Sequence, residues 1–241
     1  EIARQAQSFA GKIVGAWNGL LTRGVHVDTA LESVDIDTGL GEQVQFAVMG
    51  NQTQSQSGNG LRNSSIRPLR KAVAFTRRIA DSKALADGFN DVVAHYLAQQ
   101  EKNGRTVEGL LETSVKHVDG SMSAKTRTEL LSWLGEPSRE GECRMLSNAK
   151  CLTEGVDLPQ LDAVIFFQPR SSQVDIVQAV GRVMRKAKNK EYGYIILPVV
   201  VPDGSTADDV LASSDFETVW KILQSLRSHD ERLDARINAL S

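Results

Sequence analysis

Cysteine is scarce in this sequence. Cys143 and Cys151 are the two that occur, and neither sits in a metal-ligand cluster or a disulfide framework. A cysteine-stapled scaffold is thereby excluded, and a reducing, cytoplasmic setting fits. Long apolar runs are lacking too. The most apolar stretch, Tyr194 to Val201, is interrupted by Pro198 and is far too short to span a bilayer. The sequence does not open on a signal-peptide pattern, and no membrane partner is expected. Charge of one sign is not in excess either, since 28 Lys and Arg stand against 30 Asp and Glu, a formal net charge of -2. That balance excludes a protein that coats nucleic acid over its whole surface and leaves local patches for any such binding. Finally, no Gly-x-Gly-x-x-Gly follows a stretch that reads as a strand, which counts against a nucleotide-binding enzyme using dinucleotide chemistry.

What is present is 241 residues, 41% hydrophobic and 24% charged, enough for one sizeable core with appendages. Residues Glu1 to Arg23 place Ile2, Phe9, Ile13, Val14, Trp17, Leu20 and Leu21 mostly three or four apart, the spacing of one helix face. A helical connector is expected there, and because the chain opens directly on it, an origin inside a longer polypeptide is expected as well. From Gly24 to Arg67 the pattern decays into an insertion or flexible loop, with a short strand at Val44 to Val48 and a polar run from Gly50 to Gly60.

From Lys71 onward the sequence alternates. Ala72 to Thr76, Val115 to Val118, Arg144 to Leu146, Ala163 to Phe167 and Tyr192 to Val201 read as strands; Ile79 to Leu97, Lys125 to Leu134 and Gln173 to Ala187 read as helices. Short apolar runs alternating with amphipathic helices predict a mainly parallel sheet covered on both faces. Asp215 to Leu240 reads as a closing helix that needs a partner surface. The expected division is a connector with its insertion over 1–70, an α/β domain over 71–204 and a helical extension over 205–241.

The chemistry is carried by Gln178-Ala-Val-Gly-Arg-Val-Met-Arg185. At helical spacing, Gln178, Arg182 and Arg185 project from one side while Ile176, Val180, Val183 and Ala187 occupy the other as an anchor. Two guanidiniums and an amide are then presented together, with Gly181 leaving room for something planar or polyanionic, such as a nucleoside triphosphate. Five basic residues and no acid lie between Arg182 and Lys190, so the local field is positive although the chain is not. A solvated basic face would be the ordinary explanation of an isolated Arg-x-x-Arg. Here the preceding Asn148 to Pro159, a short polar loop between two strands that contains Gly155 and Asp157, lies where open α/β sheets bind ligands.

Thr153-Glu-Gly-Val-Asp-Leu-Pro159 resembles motif V, and Gln178 to Arg185 resembles motif VI, of the second motor lobe of superfamily two helicases, in that lobe's order and spacing. Ala74-Phe-Thr-Arg-Arg78 resembles motif IV, and His117 to Met122, with Arg127 beyond it, the next strand-to-helix junction. Ser147 to Pro202 and Trp220 to Leu233 are similar to large bacterial helicases related to single-chain, type ISP-like restriction-modification enzymes. The resemblance implies a RecA-like α/β fold, the second lobe of a P-loop NTPase, with helical appendages at both ends. It implies ATP and Mg2+ as cofactors, DNA and a first RecA-like lobe of the same polypeptide as partners, and these roles: Arg185 the arginine finger, Arg182 its companion, Gln178 the coupler of nucleotide to lobe closure. Asp157 and Gly155 would approach the nucleotide, and Thr153 the nucleic acid. Thr76 and Arg77 would hold strand phosphates, with Ser121 a weaker candidate; a helix N-cap is the alternative for Thr76, and solvated surface for Arg78 and Arg127.

A motor of this class also needs a glycine-rich phosphate loop and an acidic strand end for Mg2+. Gly11-Lys12 is followed by Ile13 and has Ala6 where the first loop glycine should stand, and His229-Asp-Glu-Arg232 falls in the closing helical stretch. Those parts are expected in the first lobe, so this chain is expected to hold half an active site and to be inactive alone. The rival is a degenerate lobe serving as a nucleic-acid-binding or interaction scaffold.

Overall fold

The computed structural model describes residues 2–22, 42–50, 68–104, 111–149, 161–168, 176, 179–181, 193–202, 217, 219–222 and 224. In chain order the elements are α1 (Ile2–Thr22), β1 (Glu42–Gly50), β2 (Lys71–Phe75), α2 (Ile79–Lys102), β3 (Glu112–Val118), α3 (Ala124–Gly135), β4 (Glu142–Asn148), β5 (Ala163–Phe166) and β6 (Tyr194–Pro202). The strands form one sheet in the order β1-β6-β5-β2-β4-β3. β6, β5, β2, β4 and β3 run parallel, and β1 closes one edge antiparallel to β6. This is the RecA-like α/β architecture expected from the alternation of strands and helices.

The sheet separates two cores because strand side chains alternate in direction. Ala72, Ala74, Cys143, Met145, Ala163, Ile165, Tyr194 and Ile196 join one apolar cluster, with Ile13, Trp17 and Leu20 of α1 and Leu85, Phe89, Val93 and Tyr96 of α2. Val73, Phe75, Leu146, Val164, Phe166, Ile195 and Leu197 join the other, with Leu134 of α3 and Ile176, Ala179, Val180, Val219 and Ile222. Strands covered on both faces need no polar alternation, which is why they read as continuous apolar runs.

α1 belongs to this sandwich. Trp17 is 1% exposed, donates from Nε1 to the Leu111 carbonyl at 3.1 Å, and meets Tyr96 edge-on at 6.4 Å. Gly19 lets the helix approach β6, since a Cβ there would stand 3.2 Å from Ile196 Cγ2. The Gly24 to Arg67 stretch, expected to be a loop with a short strand, carries a strand paired along its whole length, from Glu42 opposite Pro202 to Gly50 opposite Tyr194. The free edge of β6 supplies the backbone partners, a long-range contribution that local pattern does not contain. The rest of that stretch lies outside the described residues. Among the described residues, no helix is long and apolar enough to cross a membrane.

Candidate functional site

Parallel strands all point the same way, so the segments leaving β2, β3, β4 and β5 gather at one edge of the sheet. Hydrogen bonds tie three of these segments together. Thr76 N donates to the Asn148 carbonyl at 3.0 Å, Phe167 N to the Phe75 carbonyl at 3.1 Å, and Arg77 N to Gln168 Oε1 at 2.9 Å. The Asn148 amide donates to the Ala74 carbonyl at 3.1 Å, while its Oδ1, buried, has no partner among the described residues.

Thr76 faces inward. It is 2% exposed, and its hydroxyl lies 3.1 Å from the Arg78 carbonyl and 3.3 Å from that of Asn148. Its one proton is shared between these acceptors. The N-cap alternative is not realised, because Arg78 occupies the N-cap of α2 and makes no side-chain cap bond. Arg77 is exposed, and its guanidinium has no partner among the described residues. Arg78, also exposed, forks onto Asp81 at 2.9 and 3.1 Å. Lys12, in the stretch compared above with a phosphate loop, is instead a buried residue of α1 that donates from Nζ to the Phe167 carbonyl at 3.3 Å.

A buried polar chain runs behind this edge. Ser147 Oγ and Ser82 Oγ are 2.7 Å apart, Ser82 Oγ lies 2.7 Å from His117 Nδ1, and His117 Nε2 lies 2.8 Å from Asp119 Oδ2. Asp119 Oδ1 accepts from the Ser121 amide at 2.8 Å and from its hydroxyl at 2.5 Å. The Ser121 hydroxyl, then His117, hold the Asp119 carboxyl well below the usual carboxylate range. With its proton committed to Asp119, Ser121 has none to offer a phosphate oxygen unless that bond opens.

Ser82, His117 and Asp119 have the composition of a hydrolytic triad, but Ser82 is fully buried and bonded to Ser147, so no substrate reaches it. Sequence reasoning included His117, Asp119 and Ser121 in one motif and missed Ser82 and Ser147. The signal for Ser82 was present, since it stands on the buried stripe of α2 with Leu85, Phe89, Val93, Tyr96 and Gln100. A polar residue on a core stripe implies a buried partner.

Thr153, Gly155, Asp157, Gln178, Arg182 and Arg185 lie outside the described residues. Their flanks are described. Ile176 and Val180, two of the four anchor residues expected of that helix, are buried, as is Ala179, while Val183 and Ala187 lie outside the described residues; Gly181 is exposed, and no described residue lies within 4 Å of where a Cβ would stand. Among the described residues, no group of three or more His, Cys, Asp or Glu could hold a metal ion.

Residues 69–187 match the helicase conserved C-terminal domain. The protein named "Probable helicase A859L" of African swine fever virus is 31% identical over 162 residues, covering 67% of this chain and 16% of the viral protein. The Dicer homolog 2a endoribonuclease of Oryza sativa subsp. japonica is 22% identical over 217 residues, 88% of this chain and 15% of the rice protein. Among solved structures, the ATP-dependent type ISP restriction-modification enzyme LlaBIII, bound to DNA, is 39% identical with a TM-score of 0.68, covering 96% of this chain and 12% of that one. The chain thus spans less than a fifth of each of these relatives, 16%, 15% and 12% of their lengths.

Proposed function

The chain belongs to the helicase C-terminal domain family through residues 69–187, and on that premise we propose that it is the second RecA-like lobe of an ATP-driven DNA helicase or translocase. The protein it serves would be a restriction-modification or related DNA-processing enzyme; the 39% identity to a DNA-bound enzyme of that kind supports DNA over RNA as the track.

The observation that carries the reading is the burial of Ile176 and Val180 on a helix whose Gly181 is exposed. Helical spacing in the sequence directs Gln178, Arg182 and Arg185 away from these two residues. ATP, with Mg2+ held mainly by the first lobe, supplies when bound the phosphoryl group whose transfer drives the motor. Arg185 places a fixed positive charge where that transfer develops negative charge, and Arg182 assists it. Gln178, Gly155 and Asp157 line the nucleotide side. Thr153 and Arg77 face the strand, with Thr76 and Ser121 holding that surface from behind. Lobe closure and release then follow from contacts that differ between nucleotide states.

The test is ATP turnover in the full-length protein. Arg185→Ala lowers kcat by about 10³ or more with ATP affinity nearly unchanged, and Arg185→Lys does not restore it. Val180→Asp, which buries an unpaired charge, unfolds the lobe. Turnover within about twofold of wild type in folded Arg185→Ala would retire the arginine finger and favour the scaffold.

A further inference from the structure

The five side chains Ser147, Ser82, His117, Asp119 and Ser121 belong to four parts of the fold: the end of β4, the first turn of α2, the end of β3 and the loop leading to α3. Ser82 and Ser147 are fully buried and Asp119 nearly so, and the His117 side chain is shielded where it meets Asp119. The chain of bonds reaches both segments assigned to the strand. Ser82 N donates to the Arg78 carbonyl at 3.1 Å, directly behind Arg77, and Asp119 receives both Ser121 donors. His117 is the link between the two halves.

Proton counting shows why a histidine suits that position. Asp119, held as a carboxylate, can only accept, so His117 Nε2 carries a proton. In the neutral ring Nδ1 accepts from the Ser82 hydroxyl, which accepts from Ser147. In that arrangement each hydroxyl proton is used once and every polar atom of the five side chains that faces the chain of bonds has a partner.

Resting on the motor reading above, we infer that His117 is a positioning residue that makes the Arg77 segment and the Asp119–Ser123 loop one rigid strand-gripping unit. It touches neither nucleotide nor nucleic acid. Without it the loop moves independently of α2, and the lobe loses its hold on the track while the chemistry of ATP hydrolysis continues.

The experiment uses the full-length protein and a linear mixed-sequence duplex DNA, with thermal melting, ATP turnover without DNA, and the DNA concentration that half-maximally stimulates turnover as readouts. His117→Asn retains a group near Nδ1 for Ser82 and loses Asp119; His117→Gln retains a donor near Nε2 for Asp119 and loses Ser82. The expected result is DNA-free turnover within about twofold of wild type in both, and a half-stimulating DNA concentration raised about tenfold by Asn and less by Gln. Should the Asn variant not fold, Ser82→Ala carries the test, with an effect the size of that of Gln. An unchanged half-stimulating concentration overturns the inference, as does a parallel fall of DNA-free and DNA-stimulated turnover with melting temperature, the mark of a merely structural role. Wild-type protein with no DNA stimulation at all would overturn the motor reading first, and this inference with it.

Discussion

The two edges of the sheet handle polar groups in opposite ways. At the amino ends of the strands, charges are spent on one another and on backbone. Asp162 accepts from the amides of Arg70 and Lys71 at 2.9 and 3.0 Å, and Lys71 Nζ donates to the Gly135 carbonyl at 2.6 Å. Arg144 reaches Glu142, Glu136 and the Trp133 carbonyl at 3.1, 2.7 and 2.8 Å. The Arg139 amide and the Arg144 guanidinium hold Glu142 below the usual carboxylate range, and Glu142 and Glu136 raise Arg144. At the carboxyl ends, Arg77 is exposed, Asn148 Oδ1 has no partner among the described residues, and α2 begins without a side-chain cap. One edge is closed by its own chemistry; the other is built on a buried scaffold and left open. That asymmetry is what separates stability from ligand contact in open α/β sheets.

The comparison breaks if the edges respond alike to mutation. Arg144→Ala should cost the most stability, about 2 kcal/mol, by stranding Glu142 and the Trp133 carbonyl, with DNA affinity unchanged; chemical denaturation and DNA titration check both halves. Asp119→Asn should cost about 1–2 kcal/mol near neutral pH. Because the folded carboxyl is depressed, its contribution is fully present above the ordinary carboxylate range and lost as pH falls through that range toward the folded value. Wild type and variant should therefore converge in denaturation experiments at acid pH, and a constant gap would refute the assignment. Arg77→Ala should change stability by less than about 0.5 kcal/mol yet weaken DNA binding and reduce the salt slope by about 1. Opposite in sign, Gly181→Ala should raise stability by up to about 1 kcal/mol, since alanine loses less backbone entropy in a helix than glycine and no described residue lies within 4 Å of the added methyl. A fall in ATP turnover in that variant would sharpen the comparison by revealing a close approach from outside the chain.

Legibility in the sequence followed the same division. The buried stripe of α2 and the apolar runs of β2 and β5 were readable because their periodicity is local. β3 was read from Val115, but it begins at Glu112, because the polar stretch before Val115 is held by backbone pairing to Glu142, Cys143 and Arg144. β1 was underread for the same reason, its partner lying far along the chain. At the open edge, Thr76 and Arg77 lie beside Asn148 and Gln168, and the direction of a side chain there was not legible. Thr76 turns inward and Ser121 is committed to Asp119, outcomes set by the Asn148 carbonyl on β4 and by a carboxylate two residues before Ser121. The arginine helix was readable as an anchored stripe, and Ile176 and Val180 are buried as that reading required.

The central claim is that this chain supplies half of an ATP-hydrolysing site, and the most direct test compares residues 1–241 alone with the full-length protein in ATP hydrolysis, each with and without duplex DNA. The account predicts background turnover by the chain alone under both conditions and DNA-stimulated turnover by the full-length protein. DNA-stimulated hydrolysis by residues 1–241 alone would contradict it.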